Sequence, residues 1–291
     1  MRDRGGGGAV QATQLVGKTV VVTGASDGIG AAAAHKLALR GARVVIVGRS
    51  ALKTARVASA IGAQGFVADY ARLDEVRRVA AEIRASVDRI DVLVNNAGGA
   101  FNPRRATPDG YEPNFQVNHL APFLLTTLLR EVLAATPGTS RVINTASAVH
   151  LAAPVRADVP QQLPTGRNLP MRHYAWSKMM NIRFAVALNE KWSRDHIVAG
   201  AVHPGIVATS FGRDSVVIRT AFRTPIRRLV SIDPATGAGP LVALAADLPA
   251  EELAGRYFHR YRPGFAMRSD ALDRRLADEL WHASEGLVGN V

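Results

Sequence analysis

Short apolar runs rich in β-branched residues alternate along the chain with longer segments whose apolar positions recur at helical spacing. The run Val20 to Val22 is typical of a strand buried on both faces, whereas Val76, Val79 and Ile83 are spaced like one face of a helix. The predicted strands are Lys18 to Thr23, Arg43 to Val47, Gly65 to Ala68, Val92 to Val94, Arg141 to Ala146, Ile197 to Val202, and a short last strand at Tyr257 and Phe258. The predicted helices are Ile29 to Leu39, Ser50 to Ile61, Asp74 to Val87, Asn114 to Leu133 and Tyr174 to Trp192. This alternation predicts an α/β fold in which one doubly wound parallel sheet carries helices on both faces.

Two segments do not fit the alternation. Leu151 to Arg172 contains four prolines, which interrupt helices, and Phe211 to Pro234 is rich in arginine and apolar residues without a clear period. Both follow strands at the carboxyl edge of the sheet, where ligands bind in open α/β folds. We therefore expect residues 151–172 and 211–234 to form the rim of a substrate site. Residues 1–16 are expected to form a flexible tail, and residues 17–291 a single domain.

Composition narrows the class of protein. The 291 residues are 47% hydrophobic and 21% charged, as expected of a globular chain with a sizeable core. The formal net charge of +12 raises nucleic acid and anionic membranes as partners, but the arginines are scattered along the chain, so we expect no nucleic-acid binding. The chain has no cysteine, which excludes disulfides and thiolate sites. No apolar run suits a signal peptide or a transmembrane segment, so we expect a cytoplasmic location.

A glycine-rich turn joins the first predicted strand to the first predicted helix. Its residues include Gly24, Ser26, Asp27, Gly28, Ile29 and Gly30. Gly24 permits the tight turn, Gly28 lets the backbone approach a pyrophosphate, and Gly30 lets the helix pack closely on the strand. The helix N-terminus adds free N–H groups and the positive end of a dipole. The turn therefore predicts a bound nucleotide phosphate; the alternative is a structural turn that merely needs glycine.

The end of the second strand indicates which dinucleotide is bound. A plain adenosine ribose usually meets an Asp or Glu there, whereas this chain has Arg49. A guanidinium matches a 2′-phosphate in charge and bidentate geometry, so NADP(H) is predicted over NAD(H); the alternative is a solvent-facing arginine. Asp69, followed by Tyr70, is placed to accept a hydrogen bond from the adenine amino group. Further contacts are expected from Asn96, Ala97 and Gly98. The alternative for Asp69 and for this later turn is a loop cap.

Tyr174 and Lys178 lie four residues apart at the start of a predicted helix, so their side chains project from one face. Ser147 follows the fifth predicted strand and is therefore aimed into the same crevice. A free phenol has a pKa of about 10, but a lysine cation and an oxidised nicotinamide would favour phenolate. We therefore expect Lys178 to lower the pKa of Tyr174. The alternatives are a packing tyrosine and a capping serine.

Together these motifs resemble the short-chain dehydrogenase/reductase family. The resemblance is carried by the glycine turn, Asn95 to Gly98, Ser147, Tyr174 with Lys178, and the run His203, Pro204, Gly205, Ile206, Val207, Ala208 and Thr209. Within the family the chain looks most like the retinol dehydrogenase and WW-domain oxidoreductase-like branch, through Val117 to Thr126, Ala146 to His150 and Gly255 to Phe258. The resemblance covers nearly the whole chain and implies a single-domain Rossmann fold.

The resemblance also implies roles for individual residues. Tyr174 would be the general acid in reduction and the base in oxidation, and Ser147 would bind the substrate oxygen through a hydrogen bond. Lys178 would also bind the nicotinamide ribose hydroxyls, and Asn118 would hold a water that links Lys178 to solvent. Thr209 would meet the nicotinamide carboxamide, with Pro204, Gly205 and Val207 also contacting the cofactor. A homo-oligomer, either dimer or tetramer, is expected through the central helices, including the helix of Tyr174.

Some features limit this resemblance. Ala146 and Ser147 stand where the family usually has two serines, and the interval from Ser147 to Tyr174 is longer than in minimal family members. Met171, Met179, Met180, Trp176, Phe184 and Phe211 could line an apolar pocket or belong to the core. His119, His150, His173 and His203 show no metal-ligand spacing, so no metal is expected.

The expected activity is an NADP(H)-dependent oxidoreductase that transfers a hydride between nicotinamide and a carbonyl or alcohol of a moderately large, apolar substrate. The arginines of the rim segments leave an acidic substrate open. Within enzymes, the alternatives are a secondary-metabolite tailoring ketoreductase and a C=C or imine reductase. Outside enzymes, they are an NADP(H)-sensing binding protein and a binder of nucleic acid or anionic membranes.

Overall fold

The computed structural model describes residues 15–101, 106–153, 170–205 and 232–289. Strands in this part of the chain form one eight-stranded sheet, in the order β3-β2-β1-β4-β5-β6-β7-β8. They are β1 (Thr19–Thr23), β2 (Arg43–Gly48), β3 (Gln64–Val67), β4 (Val92–Asn95), β5 (Ser140–Thr145), β6 (Ile197–His203), β7 (Tyr257–His259) and β8 (Arg262–Pro263). The pairs from β3 through β7 are parallel, and β8 runs antiparallel to β7. The strand order reverses at β1, which creates the crevice at the carboxyl edge that a doubly wound sheet predicts.

Helices cover both faces of the sheet. In chain order they are α1 (Gly28–Leu39), α2 (Ala51–Ile61), α3 (Leu73–Ser86), α4, α5 (Arg130–Ala134), α6 (Pro170–Trp192), α7 (Pro234–Val242), α8 (Ala250–Leu253) and α9 (Arg274–Val288). The element α4 consists of three consecutive segments, Pro113–Phe115, the π-helix Gln116–Leu120 and Ala121–Leu128. The prediction of a single-domain doubly wound α/β fold is therefore confirmed.

Alternate strand positions face opposite helical layers, which explains why the strands are continuously apolar. Val21 and Val45 are fully buried in the core beneath α3, α4 and α6. Val20 and Val22 are fully buried on the other face, in the core that holds α1 and α7. Because both faces are covered, no position in the middle of these strands can be polar without burying an unpaired group.

The helix predicted from Asn114 to Leu133 is wrong as a single element. It begins at Pro113, contains a π-helical segment, and ends where Leu129 adopts φ −94° and ψ 4° before α5 begins. Apolar periodicity cannot distinguish α from π spacing over five residues. The π segment matters because it carries Asn118.

The rim segments lie only partly within the described residues. Of the first, residues 154–169 are outside them, and α6 begins at Pro170, four residues before the predicted start. Proline suits the first turn of a helix, so the prediction of a loop through Arg172 is wrong at its end. Of the second segment, residues 211–231 are outside the described part, and Pro234 begins α7. At the amino end, Leu15 of the expected tail is buried against the core.

The C-terminal helix α9 is absent from the predicted elements, although its apolar residues have helical spacing. Trp281 packs edge-on against Phe123 of α4, with ring centroids 5.0 Å apart, and lies 6.0 Å from the ring of Phe184 in α6. His119 Nε2 lies 3.0 Å from Ser284 Oγ on α9. The helix therefore packs against both α4 and α6, and the predicted oligomer through α6 is not tested by these contacts. That assembly stays a prediction.

Among the described residues, no helix combines the length and the hydropathy needed to cross a bilayer.

Candidate active site

One cavity of about 750 Å³ opens at the carboxyl edge of the sheet, where β1 to β6 end. Most residues predicted to bind the cofactor or to act on substrate line it: Gly24, Ser26, Asp27, Gly28, Ile29, Gly30, Arg49, Asp69, Tyr70, Asn96, Ala97, Gly98, Ser147, Tyr174, Lys178, Pro204 and Gly205. Asn118 is not among the lining residues but is fully buried behind them. Val207 and Thr209 lie outside the described residues.

The glycine turn forms one end of the cavity. Gly24 and Gly28 have φ values of +65° and +58°, in the left-handed region that side chains disfavour. A Cβ on Gly24 would lie 2.7 Å from the Cα of Ala97, which is too close for any larger residue. Helix α1 begins at Gly28, where Asp27 Oδ1 accepts a hydrogen bond from the main-chain N–H at 2.8 Å. The turn therefore brings backbone and the N-terminus of α1 to the cavity wall.

Two basic residues flank the glycine turn. Arg49 directly follows β2, and its exposed side chain lines the cavity. Lys53 lies one turn further along α2 and places Nζ 2.6 Å from Asp27 Oδ2. Lys53 is absent from the residues predicted from sequence; it lies in the first turn of α2, whereas Arg49 precedes the N-cap Ser50, so helical spacing does not relate the two side chains. Arg49 and Asp27 thus line the cavity, and Lys53 is joined to this part of it through Asp27.

Asp69 lines the cavity and also closes its own turn. Its Oδ1 accepts from the N–H of Ala71 at 3.0 Å, and its own N–H donates to Glu75 Oε2 at 2.8 Å. The adjacent Tyr70 is buried, and burial raises the pKa of its phenol, with the Thr23 side chain opposing the rise. Asp69 therefore caps its own loop, as the alternative predicted, and also lines the cavity.

The side chain of Asn96 turns toward the glycine turn. Its Nδ2 donates to the carbonyl oxygens of Thr23 and Gly24, at 2.9 and 3.4 Å. The main-chain N–H groups of Asn96 and Ala97 both donate to Thr23 Oγ1 at 3.0 Å. These bonds fasten the end of β4 to the end of β1, so Asn96 shapes the cavity through the turn that it holds.

Asn118, on the π segment of α4, ties three elements together. Its Oδ1 accepts from Gly99 N at 2.8 Å, and its Nδ2 donates to Gly99 O and to Ser177 Oγ, both at 2.9 Å. Both N–H groups of the side-chain amide are therefore used within the protein. Ser177 lies between Tyr174 and Lys178 on α6, so Asn118 fixes the helix that carries both.

Tyr174 and Lys178 share one face of α6, as predicted. Lys178 Nζ lies 5.6 Å from the centroid of the Tyr174 ring and donates to the carbonyl oxygen of Thr145 at 3.0 Å. Burial lowers the pKa of Lys178 to about 8. Burial raises the pKa of Tyr174, and its hydrogen bond with Ser147 opposes the rise. The expected depression of the Tyr174 pKa by Lys178 is thus outweighed by burial, and the phenol of the protein alone is protonated near neutrality.

Part of the cavity lining is apolar. It includes Ala100, Phe101, Ala106, Pro108, Pro113, Val117, Val149 and Met171, and of these Ala100 and Val149 pack with Tyr174. Of the methionines considered for a pocket, Met171 lines the cavity, whereas Met179 and Met180 are fully buried in the core. Phe184 is also a core residue, and Phe211 lies outside the described part. The chain therefore presents polar chemistry at Ser147, Tyr174 and Lys178 against a mainly apolar wall.

Comparison with known proteins identifies the family. The family model of short chain dehydrogenases matches residues 18–159. A protein of Streptomyces sp. (strain C5), assigned as daunorubicin C-13 ketoreductase DnrU, is 40% identical over 95% of this chain and 94% of its own. Retinol dehydrogenase 13 of Homo sapiens is 33% identical over 98% of this chain and 88% of its own.

Solved structures share the fold over most of the chain. An uncharacterised protein of Mycobacterium paratuberculosis superposes with a TM-score of 0.74 at 29% identity, covering 98% of each chain. A short chain dehydrogenase of Escherichia coli CFT073, complexed with NADPH, has a TM-score of 0.67 at 24% identity and covers 86% of this chain and 99% of its own. The chain is therefore a member of the short-chain dehydrogenase/reductase family, in its retinol dehydrogenase-like branch, and an oxidoreductase of alcohol and carbonyl groups.

Proposed function

We propose that this short-chain dehydrogenase transfers a hydride between NADP(H) and a carbonyl or alcohol group of a moderately large, apolar substrate. The observation that carries the proposal is a single cavity lined at one end by the glycine turn and Arg49, and at the other by Ser147, Tyr174 and Lys178. The first end suits the phosphates of a dinucleotide, and the second end suits acid–base chemistry.

The residues that line the cavity fit a dinucleotide. A Cβ on Gly30 would collide with the carbonyl oxygen of Gly24, and a Cβ on Gly98 would lie 2.5 Å from Asn118 Oδ1 and 3.5 Å from Lys178 Nζ. Glycine at position 30 therefore lets α1 pack against the turn, and glycine at position 98 leaves space beside Asn118 and Lys178. A turn packed in this way lets main-chain N–H groups approach phosphates closely.

The charges at the mouth support NADP(H) over NAD(H). Arg49 occupies the place where a carboxylate would bind the ribose hydroxyls of NAD(H), and Lys53 follows it in the first turn of α2. The carboxylate of Asp27, which also lines the cavity, is paired with Lys53 and accepts from the N–H of Gly28. A 2′-phosphate would meet Arg49 as a bidentate donor and Lys53 as a second positive charge.

Tyr174 is proposed to move the proton of the reaction. When bound, NADPH supplies a hydride to the carbonyl carbon, and NADP⁺ accepts one from the alcohol carbon. Tyr174 donates its phenolic proton to the carbonyl oxygen during reduction, and its phenolate removes the alcohol proton during oxidation. The protonated phenol near neutrality suits the reductive direction.

Ser147 is proposed to bind the same substrate oxygen. The N–H of Val149 donates to Ser147 Oγ at 3.4 Å, which leaves the hydroxyl hydrogen of Ser147 for another acceptor. Hydrogen bonds from Ser147 and Tyr174 together would stabilise negative charge that develops on the oxygen. The Ser147 side chain also acts on the phenol of Tyr174, since it opposes the rise of the Tyr174 pKa.

Lys178 and Asn118 are proposed to return the proton to Tyr174. Lys178, with its pKa lowered to about 8, can exchange a proton near physiological pH and would also bind the nicotinamide ribose hydroxyls. Because both side-chain N–H groups of Asn118 are used internally, a water held there would bind its oxygens. Pro204 and Gly205 line the cavity and would contact the cofactor. The roles proposed for Val207 and Thr209 rest on the resemblance to the family.

The substrate is proposed to be apolar because the wall beside Tyr174 is apolar. Phe101, Val149 and Met171 are the larger side chains of that wall. The similarity to an assigned daunorubicin C-13 ketoreductase supports ketones on polycyclic aromatic molecules, and the similarity to retinol dehydrogenases supports long polyene aldehydes. The secondary-metabolite ketoreductase is thus the second candidate.

The first test is cofactor binding. Titration of the purified protein with NADPH and then NADH, followed by nicotinamide fluorescence, should give tighter binding of NADPH. Tighter binding of NADH would contradict the assignment to NADP(H). Binding of neither would contradict the enzymatic proposal.

The second test is the substrate. Aryl ketones, polyene aldehydes, an imine and an enone are incubated with NADPH, and the products are identified by mass spectrometry and NMR. Reduction at the carbonyl of an apolar substrate is the expected result. Reduction of the enone at C=C, or of the imine alone, would replace the proposed reaction, and a preference for acidic ketones would contradict the proposed substrate class.

A further inference from the structure

His150 holds the carbonyl group of Ser147 with two hydrogen bonds. The main-chain N–H of His150 donates to the Ser147 carbonyl oxygen at 3.1 Å, and ring Nδ1 lies 2.7 Å from the same oxygen. A carbonyl oxygen can only accept, so Nδ1 carries the hydrogen in this contact. The short 3₁₀ helix Ala148–Ala152 is therefore closed onto Ser147 by both the backbone and the imidazole.

The imidazole of His150 is enclosed and neutral. The residue is fully buried, and its ring packs edge-on against Tyr257 of β7, with centroids 4.8 Å apart and planes at 65°. Burial lowers the pKa of His150; Arg268 and His259 add to this effect, whereas the bond to the Ser147 carbonyl and the charge of Asp270 oppose it. Its Nε2 is buried without a hydrogen-bond partner in the described part of the chain. The ring therefore acts as a fixed donor, through Nδ1, against a rigid neighbour.

Ala153, which follows the 3₁₀ helix, is also held by side-chain contacts. Arg268 donates to the carbonyl oxygen of Ala153 and binds Asp270 through Nε at 2.8 Å. Asp270 in turn lies 3.2 Å from Nη2 of the buried Arg183 on α6. Since α6 also carries Tyr174, these contacts connect the segment that follows Ser147 to the helix of the tyrosine.

We propose that His150 is a positioning residue for the reaction, and that its Nδ1–H sets the orientation of Ser147 Oγ toward Tyr174 and the substrate oxygen. Ser147 has extended backbone angles, with φ −157° and ψ 152°, and it caps the 3₁₀ helix whose residue His150 binds its carbonyl oxygen. The bond from Val149 N to Ser147 Oγ is long, at 3.4 Å, so it orients the hydroxyl less firmly than the His150 contact orients the backbone. This inference rests on the proposed function, in which Ser147 binds the substrate oxygen.

The test compares three variants of the full chain: His150→Leu, which fills the space without a donor; His150→Asn, which keeps a donor; and Tyr257→Phe, which keeps the ring that the imidazole contacts. Binding of NADPH, kcat and KM on a carbonyl that the wild type reduces, and the thermal midpoint are measured for each. We expect His150→Leu to lower kcat on the order of 10- to 100-fold with NADPH affinity unchanged. His150→Asn should recover part of that loss, and Tyr257→Phe should retain wild-type kcat.

A double-mutant cycle decides whether His150 acts through Ser147. If it does, adding His150→Leu to Ser147→Ala causes no further loss of kcat, because the oriented hydroxyl is already absent. Losses that multiply, or a folded His150→Leu variant with wild-type kcat, would overturn the inference. A loss that appears in NADPH affinity rather than in kcat would overturn it too.

A spectroscopic measurement keeps the inference testable apart from turnover. In ¹⁵N-histidine-labelled protein, the resonance pair that is lost in His150→Asn should show the Nδ1–H tautomer near pH 7; the Nε2–H tautomer would contradict the contact. Should His150→Leu fail to fold, His150→Ala replaces it in the comparison with His150→Asn. A wild type that binds no dinucleotide and reduces nothing would refute the proposed function itself, whereas an active wild type with indifferent His150 variants would refute only the positioning role.

Discussion

Lys53 and Asp27 form an ion pair, with Nζ and Oδ2 2.6 Å apart, at the mouth of the cavity beside Arg49. The carboxylate is therefore masked at the place where a 2′-phosphate would bind, but its charge still opposes that of the phosphate. Both side chains are about half exposed, so water and salt weaken this repulsion.

Asp27→Asn should tighten NADPH binding by roughly threefold, because it removes a negative charge near the phosphate and frees Lys53. Asparagine keeps the oxygen that accepts from Gly28 N, so the N-cap of α1 should survive. NADH affinity should change less. The measurement is fluorescence titration at low and moderate salt, with the exposed Asp74→Asn as control; weaker NADPH binding would contradict the prediction.

Arg49→Ala should weaken NADPH binding by roughly 10- to 100-fold, the cost of losing a charge-assisted bidentate contact. NADH binding should stay within about twofold, since NADH lacks the 2′-phosphate. The matched control is Arg56→Ala. Arg56 is exposed on α2, the helix that follows Arg49, and it does not line the cavity. Equal losses of affinity for NADPH and NADH would show that Arg49 does not bind the 2′-phosphate.

Tyr174→Phe should lower kcat by about 1,000-fold or more, because the variant has no proton to donate to the carbonyl oxygen. The ring is buried and phenylalanine keeps its packing, so the affinity for NADPH should remain near that of the wild type. Stopped-flow hydride transfer and fluorescence titration measure the two quantities. Turnover close to the wild-type rate would end the proposed role of Tyr174.

Lys178→Met should stabilise the protein without cofactor by about 2 kcal/mol at pH 7, because it removes a burial cost of about 3 kcal/mol and loses one hydrogen bond, to the Thr145 carbonyl, worth about 1 kcal/mol. Burial lowers the pKa of Lys178 from 10.5 to about 8, so the unfolded chain binds this proton more tightly than the folded protein. The cost of burying the charge is complete below pH 8 and is lost as the pH rises from about 8 toward 10.5. Urea unfolding at pH 7 and pH 10 should therefore show a gain that shrinks with pH, together with loss of kcat. A gain that is equal at both pH values would contradict burial of the ammonium charge as its cause.

Trp281→Ala should destabilise the fold by about 3–5 kcal/mol, as expected for truncating a buried aromatic residue. The Trp281 ring lies 5.0 Å from that of Phe123 and 5.5 Å from that of Trp192, so its loss opens a cavity between α9 and two other helices. Leu52→Ala, at a site that is 82% exposed, serves as the control and should change stability by less than about 0.5 kcal/mol. Urea unfolding followed by circular dichroism measures both. Similar midpoints for the two variants would show that α9 is dispensable.

The local sequence was sufficient for the parallel part of the fold and most of the cavity lining. A strand buried on both faces must be apolar throughout, and a turn that approaches a phosphate needs glycine. The strand β1 and the turn from Gly24 to Gly30 can therefore be predicted from their own residues. The spacing of Tyr174 and Lys178 depends only on the helical repeat. All these features depend on geometry between residues close in the chain, which the order of residue types determines.

Contacts between residues distant in the chain were decided only by the tertiary structure. Lys53 pairs with Asp27 because α2 and the glycine turn follow adjacent strands. The position of α9 depends on the packing of Trp281 against Phe123. Burial of Tyr174 and Lys178 depends on the whole surrounding layer, and it reverses the pKa shift that their spacing predicts for the tyrosine. Residue order alone places the chemical groups at the sheet edge, whereas packing sets their protonation and their partners, because desolvation and long-range contacts exist only in the folded chain.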